Sequence, residues 1–269
     1  MADWIYETKN LKKYYSEKSH ILSSKPVITK AVDDISLSIE RGEILGVVGE
    51  SGCGKSTLIR TMLRLINPTE GTLFFEGRDI TKANSKELKN LRKDMQIVFQ
   101  DPYAALDPRQ KVGSMLREAL MIRLTEENDV KKESERLLQM VGIPVDSLDK
   151  YPHEFSGGQR QRLCIARALA VQPKLLFCDE CVSALDVSIQ AQIINLLMHL
   201  KQKMNLTMVF VSHDLRVVRH MADHIAVMYG GKIVEYGDND SIFMHPQQEY
   251  TKKLLSAIPI ADPRLRNQQ

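Results

Sequence analysis

GESGCGKST, residues 49–57, decides how this chain is read. It follows EILGVVG (43–49), a nearly continuous apolar run of the kind that forms a strand buried on both faces, and it leads into a helical run. In that context G-x-x-x-x-G-K-[ST] predicts a loop that wraps phosphate. Gly49, Gly52 and Gly54 let the backbone bend until its N–H groups point inward at phosphate oxygens. Lys55 is placed to reach the β- and γ-phosphates, and the Ser56 hydroxyl to ligate Mg²⁺. Glu50, Ser51, Cys53 and Thr57 complete the predicted nucleotide-binding loop.

On both sides of the loop, strand and helix signals alternate. Ile35, Leu37 and Ile39 alternate with polar or small residues, as in a half-buried strand, and TLFFEG (72–77) is a second short strand. Between about Asp101 and Tyr151 the pattern is helical: Val130, Leu137, Leu138 and Val141 share one face, and Gly142 fits a helix end. After it come the strand KLLFCDE, an amphipathic helix through Ile189, Ile193, Leu196, Leu197 and Leu200, the strand LTMVFVSH, and a hairpin around Gly230-Gly231. Such alternation predicts an α/β fold with an open, largely parallel sheet. SEKSHILSSKP (16–26) reads as a mobile loop.

Polar residues gather where such a sheet binds ligands, at the C-terminal ends of strands. Asp179 and Glu180 end KLLFCDE; the first suits the Mg²⁺ shell and the second the attacking water. Gln100 ends MQIVFQ, where a neutral amide touches both metal and water without adding charge. His213 ends LTMVFVSH, within reach of a γ-phosphate. EFSGGQRQRL (154–163) is a second phosphate-holding device, because Ser156, Gly157 and Gly158 open a helix whose N-terminus suits an anion.

Bulk properties exclude several classes. In 269 residues, 43% are hydrophobic and 26% charged, as in a globular protein, and a net charge of +3 argues for neither nucleic acid nor an anionic membrane. No run reaches the ~18 apolar residues of a bilayer span, and MADWIYETKN has no secretory core. Four cysteines make no disulfide framework, so a reducing cytosol is expected. Cys178-Asp-Glu-Cys181 is formally C-x-x-C, but positions three apart on a strand face opposite ways, so chelation would need a sharp turn.

GESGCGKS, Gln100, FSGGQ, LLFCDE, SALD (183–186) and His213 occur in an order by which the chain resembles ATP-binding cassette (ABC) proteins along nearly its whole length. The resemblance implies one ABC ATPase domain over 1–269: a P-loop ATPase with a RecA-like parallel-sheet core, an N-terminal antiparallel β-subdomain, a helical subdomain inserted at about 101–160, and a tail from about 238 to 269. It implies that Ser156, Gly157, Gly158 and Gln159 close over ATP held by a second subunit, which explains two phosphate devices in one chain. It also implies that Tyr15, in LKKYY beside Tyr14, stacks on adenine. ATP and Mg²⁺ are the implied cofactors. Glu180, His213 and Gln100 are the implied catalytic set, with Ser56, Gln100 and Asp179 around the metal, Asp179 directly or through water. Many relatives have proline where this chain has Cys181.

Within that family the chain is most similar to the oligopeptide, dipeptide and nickel importer ATPases. The long stretch after Tyr15, VFQDPYAALDPR (98–109) and HPQQEYTKKLLSAIP (245–259) carry the likeness, and IPIADPRL resembles the second of two paired ATPases. No cysteine follows Cys181, so no iron–sulfur tail is assigned. The likeness implies a peripheral subunit on the cytoplasmic face of the membrane. Its implied partners are a sister ABC ATPase in a heterodimer, two transmembrane permease subunits and an extracytoplasmic solute-binding protein, with no nucleic acid. Import of peptides is the first expectation. Import of nickel or a metal–chelator complex on the same machinery is the alternative, ahead of an ABC ATPase acting on nucleic acid or ribosomes.

Overall fold

The computed structural model describes residues 3–17 and 27–257. In chain order it begins with β1 (Trp4–Glu17), β2 (Val27–Glu40), β3 (Ile44–Val48), α1 (Lys55–Met62), β4 (Glu70–Phe75), β5 (Arg78–Asp79) and α2 (Ser85–Asp94). Next come β6 (Met95–Val98), α3 (Pro102–Ala105), α4 (Val112–Leu120), α5 (Glu127–Met140) and α6 (Gly157–Leu169). The chain then runs through β7 (Leu175–Asp179), α7 (Val187–Met204), β8 (Thr207–Ser212), α8 (Leu215–Met221), β9 (His224–Tyr229), β10 (Lys232–Asp238), α9 (Asn239–Met244) and α10 (Glu249–Ser256).

Two sheets result. One is antiparallel, in the order β2-β1-β4-β5; the other runs β10-β9-β3-β8-β7-β6, parallel except for the β9–β10 hairpin. The period of two along the parallel strands divides the interior. Leu45, Val47, Phe177, Val209, Val211, Ala226 and Met228 face one core, shared with α1 and the antiparallel sheet. Ile44, Val48, Leu176, Cys178, Phe210, Ile225 and Val227 face the other, shared with α4 to α8. Burying each large apolar side chain stabilises by about 1.5–3 kcal/mol, so both faces must stay covered, and the uninterrupted apolar strands have that cause.

The helical stretch packs by the same rule. Val130, Leu137 and Leu138 of α5 are fully or nearly fully buried against Leu116 and Leu120 of α4. Gly142 takes φ +69° and Ile143 N–H returns to Leu138 C=O at 2.9 Å, closing the helix end with a left-handed residue.

Three boundaries differ from the sequence reading. β2 starts at Val27, well before the alternation at Ile35, Leu37 and Ile39, because β1 extends to Glu17 and offers it partners as far as Val27. β6 stops at Val98, so Gln100 lies two residues past the strand: the Asp101 carboxylate accepts Tyr103 N–H at 2.8 Å and Pro102 opens α3. Of the expected mobile loop, Ser16 and Glu17 belong to β1, while 18–26 lie outside the described residues, as does IPIADPRL (258–265). Among the described residues no helix is long and apolar enough to cross a membrane.

Candidate active site

The loop between β3 and α1 depends on two close approaches. At Gly49, φ is +151° and a Cβ would stand 2.2 Å from Met228 O; at Gly54, φ is +112° and a Cβ would stand 2.0 Å from Ala31 O. Neither position accepts a side chain. The loop wraps the head of Lys55, which is 4% exposed: its Nζ donates to Gly49 O at 2.8 Å and Glu50 O at 2.9 Å, and lies 3.7 Å from Glu180 Oε1. A buried ammonium is tolerated only with such partners.

The end of β7 stands opposite. Ser56 Oγ donates to Asp179 Oδ1 at 2.8 Å. Burial pushes the Asp179 carboxyl above the ordinary aspartate value, partly offset by the Ser56 hydrogen bond and by Arg60. Glu180 then takes φ +47°, a left-handed backbone that costs a non-glycine residue about 1–3 kcal/mol. The turn is held by Glu180 N–H to Val211 O at 3.1 Å and by Ser183 Oγ to Glu180 O at 2.9 Å. Its side chain lies between Lys55 and His213, whose Nδ1 is 3.4 Å from Glu180 Oε2. The carboxylate only accepts, so this contact places the proton on Nδ1.

A cleft of about 660 Å³ runs over this group. Its walls are Ser51 to Thr57, Gln100, Glu180, residues 28–31 of β2 and Gly230-Gly231. A neighbouring cleft of about 430 Å³ contains Ser56, Gln100 and Asp179 together with Arg60 and Arg167. Gln100 therefore lies between the two.

Other expected residues flank this group. Tyr15 is 40% exposed beside the cleft, paired across the strands with Thr29 of its wall, with Lys13 Nζ over its ring. The Tyr14 hydroxyl is engaged by Asp33, and Lys30 Nζ stands over its ring. Cys53 packs into the core beneath the loop, where burial raises its thiol pKa. Ser156 to Gln159 line neither cleft. Ser156 instead caps α6: Gln159 N–H donates to Ser156 Oγ at 3.3 Å, and Ser156 N–H to Gln159 Oε1 at 3.0 Å.

The C-x-x-C reading is corrected. The left-handed Glu180 is the sharp turn that a straight strand would not make, and the nearby Cys181 together with burial raises the Cys178 thiol well above its ordinary pKa. Both thiols are buried, and among the described residues no three His, Cys, Asp or Glu side chains are grouped to hold a metal ion.

The sequence model of the ABC transporter family matches residues 32–183, a span that takes in the loop, Gln100, the Ser156 cap and both acids. The chain belongs to the ABC transporter family. Its cassette is 48% identical to the oligopeptide transport ATP-binding protein AppF of Bacillus subtilis, over 97% of this chain and 80% of that protein. It is 48% identical to the dipeptide transport ATP-binding protein DppF of Haemophilus influenzae, over 96% and 79%. Among solved structures, cbiO1 of Clostridium perfringens, part of the ABC transporter complex cbiONQ, superposes with a TM-score of 0.78 at 28% identity, covering 90% of this chain and 92% of that one. The dimeric ABC cassette MJ0796 bound to ADP and Pi gives 0.76 at 27%, covering 87% and 98%. The fold is thus that of an ABC ATPase, and ATP is its nucleotide.

Sequence reasoning missed part of this cassette's cleft. Residues 28–31 and Gly230-Gly231 form a wall, with Gly231 N–H on Cys53 O at 3.0 Å. The hairpin was visible from its glycines, but nothing local tells which loop it meets.

Proposed function

We propose that the chain is the ATP-binding and hydrolysing subunit of a binding-protein-dependent importer of peptides. It would lie on the cytoplasmic face of the membrane, paired with a sister ATPase on two permease subunits. The observation that carries the reading is the chain of side-chain contacts at the phosphate loop, Ser56 with Asp179, Lys55 with Glu180 and Glu180 with His213, beside two adjoining clefts that Ser156–Gln159 do not line. Such a site is complete for holding a triphosphate and lacks a cover. The peptide class rests on relatives whose names state oligopeptide and dipeptide transport. We take α3 to α5 as the inserted helical subdomain and α9 and α10 as the start of the tail.

The mechanism follows from the contacts. Arriving phosphates compete for the Lys55 ammonium, which here is shared by two carbonyls and Glu180. Drawn to the γ-phosphate, Lys55 leaves the Glu180 carboxylate free to accept a proton from water. The water oxygen bonds to the γ-phosphorus as the bond to the β,γ-bridging oxygen breaks, and its electron pair stays on ADP. His213 donates to the γ-phosphate through Nε2 only as the imidazolium, or through Nδ1 after leaving Glu180. Ser56, Asp179 and Gln100 offer oxygen donors of the kind Mg²⁺ takes, and the hydrogen-bonded pair of buried Asp179 and half-buried Ser56 fits such an ion. Mg²⁺, when bound, would neutralise charge developing on the phosphates. Ser156 to Gln159 would serve the sister's ATP, whose γ-phosphate would meet the N-terminus of α6.

Reconstitution tests the reading. Proteoliposomes with the permeases, both ATPases and the binding protein should take up a labelled oligopeptide only with ATP and Mg²⁺. Uptake of nickel chelate without peptide would overturn the solute class, and ATPase activity with no membrane partner in the purified complex would overturn the importer.

A further inference from the structure

The tail HPQQEYTKKLLSAIP entered the sequence reading as a mark of kinship, and the site described above uses none of it. The structure brings it to the phosphate loop. Glu50 N–H donates to the Tyr250 hydroxyl at 3.2 Å, across 200 residues of chain. The Tyr250 ring lies 4.3 Å from that of Tyr229, at 40°. Tyr229 ends β9, and two residues on, Gly231 N–H donates to Cys53 O at 3.0 Å. The outer side of the loop is thus held at two backbone points, Glu50 N–H and Cys53 C=O, by groups from the C-terminal third of the chain.

The support is itself anchored. Glu235 of β10 accepts Gln247 N–H at 2.7 Å and Gln248 N–H at 3.1 Å, which secures the start of α10. Thr251 is buried, and Leu254 and Leu255 pack on the core. The Glu50 peptide whose N–H meets Tyr250 is followed by the carbonyl that accepts Lys55 Nζ at 2.9 Å. Tyr250 therefore holds the same residue whose carbonyl is a ligand of the lysine that must reach the phosphates.

We propose that Tyr250 is a positioning residue for nucleotide binding: from α10 its hydroxyl and ring hold the outer side of the phosphate loop in the form that receives the phosphates. The role rests on the nucleotide-binding reading above and extends it to the tail. A loop already held in its binding form loses less freedom when ligand arrives, so support from outside appears as affinity.

Titration calorimetry of the full chain with MgADP tests this without turnover. Tyr250→Phe keeps the ring on Tyr229 and removes one hydrogen bond, so MgADP should bind about 2- to 10-fold more weakly. Thermal stability without nucleotide should stay near that of the parent, and Tyr250→Ala should bind more weakly still. In the assembled complex the KM for ATP should rise by a larger factor than kcat falls. Unchanged affinity in Tyr250→Phe would overturn the proposal. So would a loss of affinity accompanied by a comparable loss of thermal stability, since that marks general loosening. A parent protein that binds no nucleotide would instead overturn the nucleotide-binding reading, and this inference with it.

Discussion

At the scale of single residues, the two acids at the end of β7 do different things because their surroundings differ. Glu180 is turned toward the cleft by its left-handed backbone and contacts Lys55 and His213. Glu180→Gln keeps the shape and loses the proton acceptor. The assembled complex should then bind ATP normally and release phosphate roughly 10²–10⁴-fold more slowly, read by a phosphate-release assay; near-parental rates would refute the role. Asp179 is buried on the sheet side, and burial raises its pKa. Its charged form therefore costs folding stability at neutral pH when no cation is bound. The sign follows from linkage: between the unfolded value and the raised folded value the native state holds more protons, so stability falls as pH climbs through that window and stays low above it. Asp179→Asn retains an acceptor for Ser56 and removes the charge. In chelator it should melt at or above the parent temperature at pH 7 while ATP hydrolysis is lost. A clear drop in melting temperature would show that the carboxylate is structural.

At the scale of elements, the start of α6 has two adjacent glycines with different constraints. A Cβ at Gly158 would lie 2.5 Å from Ile189 Cγ2 of α7, whereas one at Gly157 would meet Leu185 Cδ2 at an ordinary 3.6 Å. Gly158→Ala must displace α7 side chains and should destabilise by about 1–3 kcal/mol; Gly157→Ala should stay within about 0.5 kcal/mol. Urea denaturation of the two variants checks this, and equal losses would contradict the packing. The contrast also marks what sequence can carry. Strands β3, β7 and β8 were legible because burial on both faces demands unbroken apolar runs, and the phosphate loop because its glycines, lysine and serine occupy fixed offsets. Gln100 was placed on a strand because FQ continues the apolar pattern of MQIV; what ends β6 is the Asp101 cap and Pro102, a local competition that periodicity does not register. Cys181 was expected to face away from Cys178 because straight-strand geometry cannot anticipate a left-handed Glu180. The contact of Tyr250 with Glu50 was out of reach altogether, since it depends on where β9, β10 and α10 dock.

At the scale of the whole molecule, the decisive feature is the separation of two phosphate-holding devices in one chain. Lys55 and Glu180 line one cleft, His213 contacts Glu180, and Ser156 caps α6 outside that cleft. Two cassettes arranged head to tail would complete both sites, and the solved dimeric cassettes share this fold. The partner can be a second copy or a different ATPase, and one residue distinguishes them. Gly157 has room for a side chain at no cost to folding, so Gly157→Asp should leave the melting temperature and the ATP affinity of this subunit unchanged. The added carboxylate would face the γ-phosphate held by the partner and repel it. In a heterodimer the damage falls on the sister's site alone: hydrolysis at the ATP held by Lys55 persists, and combining Gly157→Asp with Glu180→Gln removes the remainder. In a homodimer the single substitution damages both sites at once. Mass measurement of the complex extracted from membranes supplies the independent check. One copy of this chain beside a different ATPase and two permeases is the expected result; two copies of this chain with no second ATPase would overturn the heterodimer.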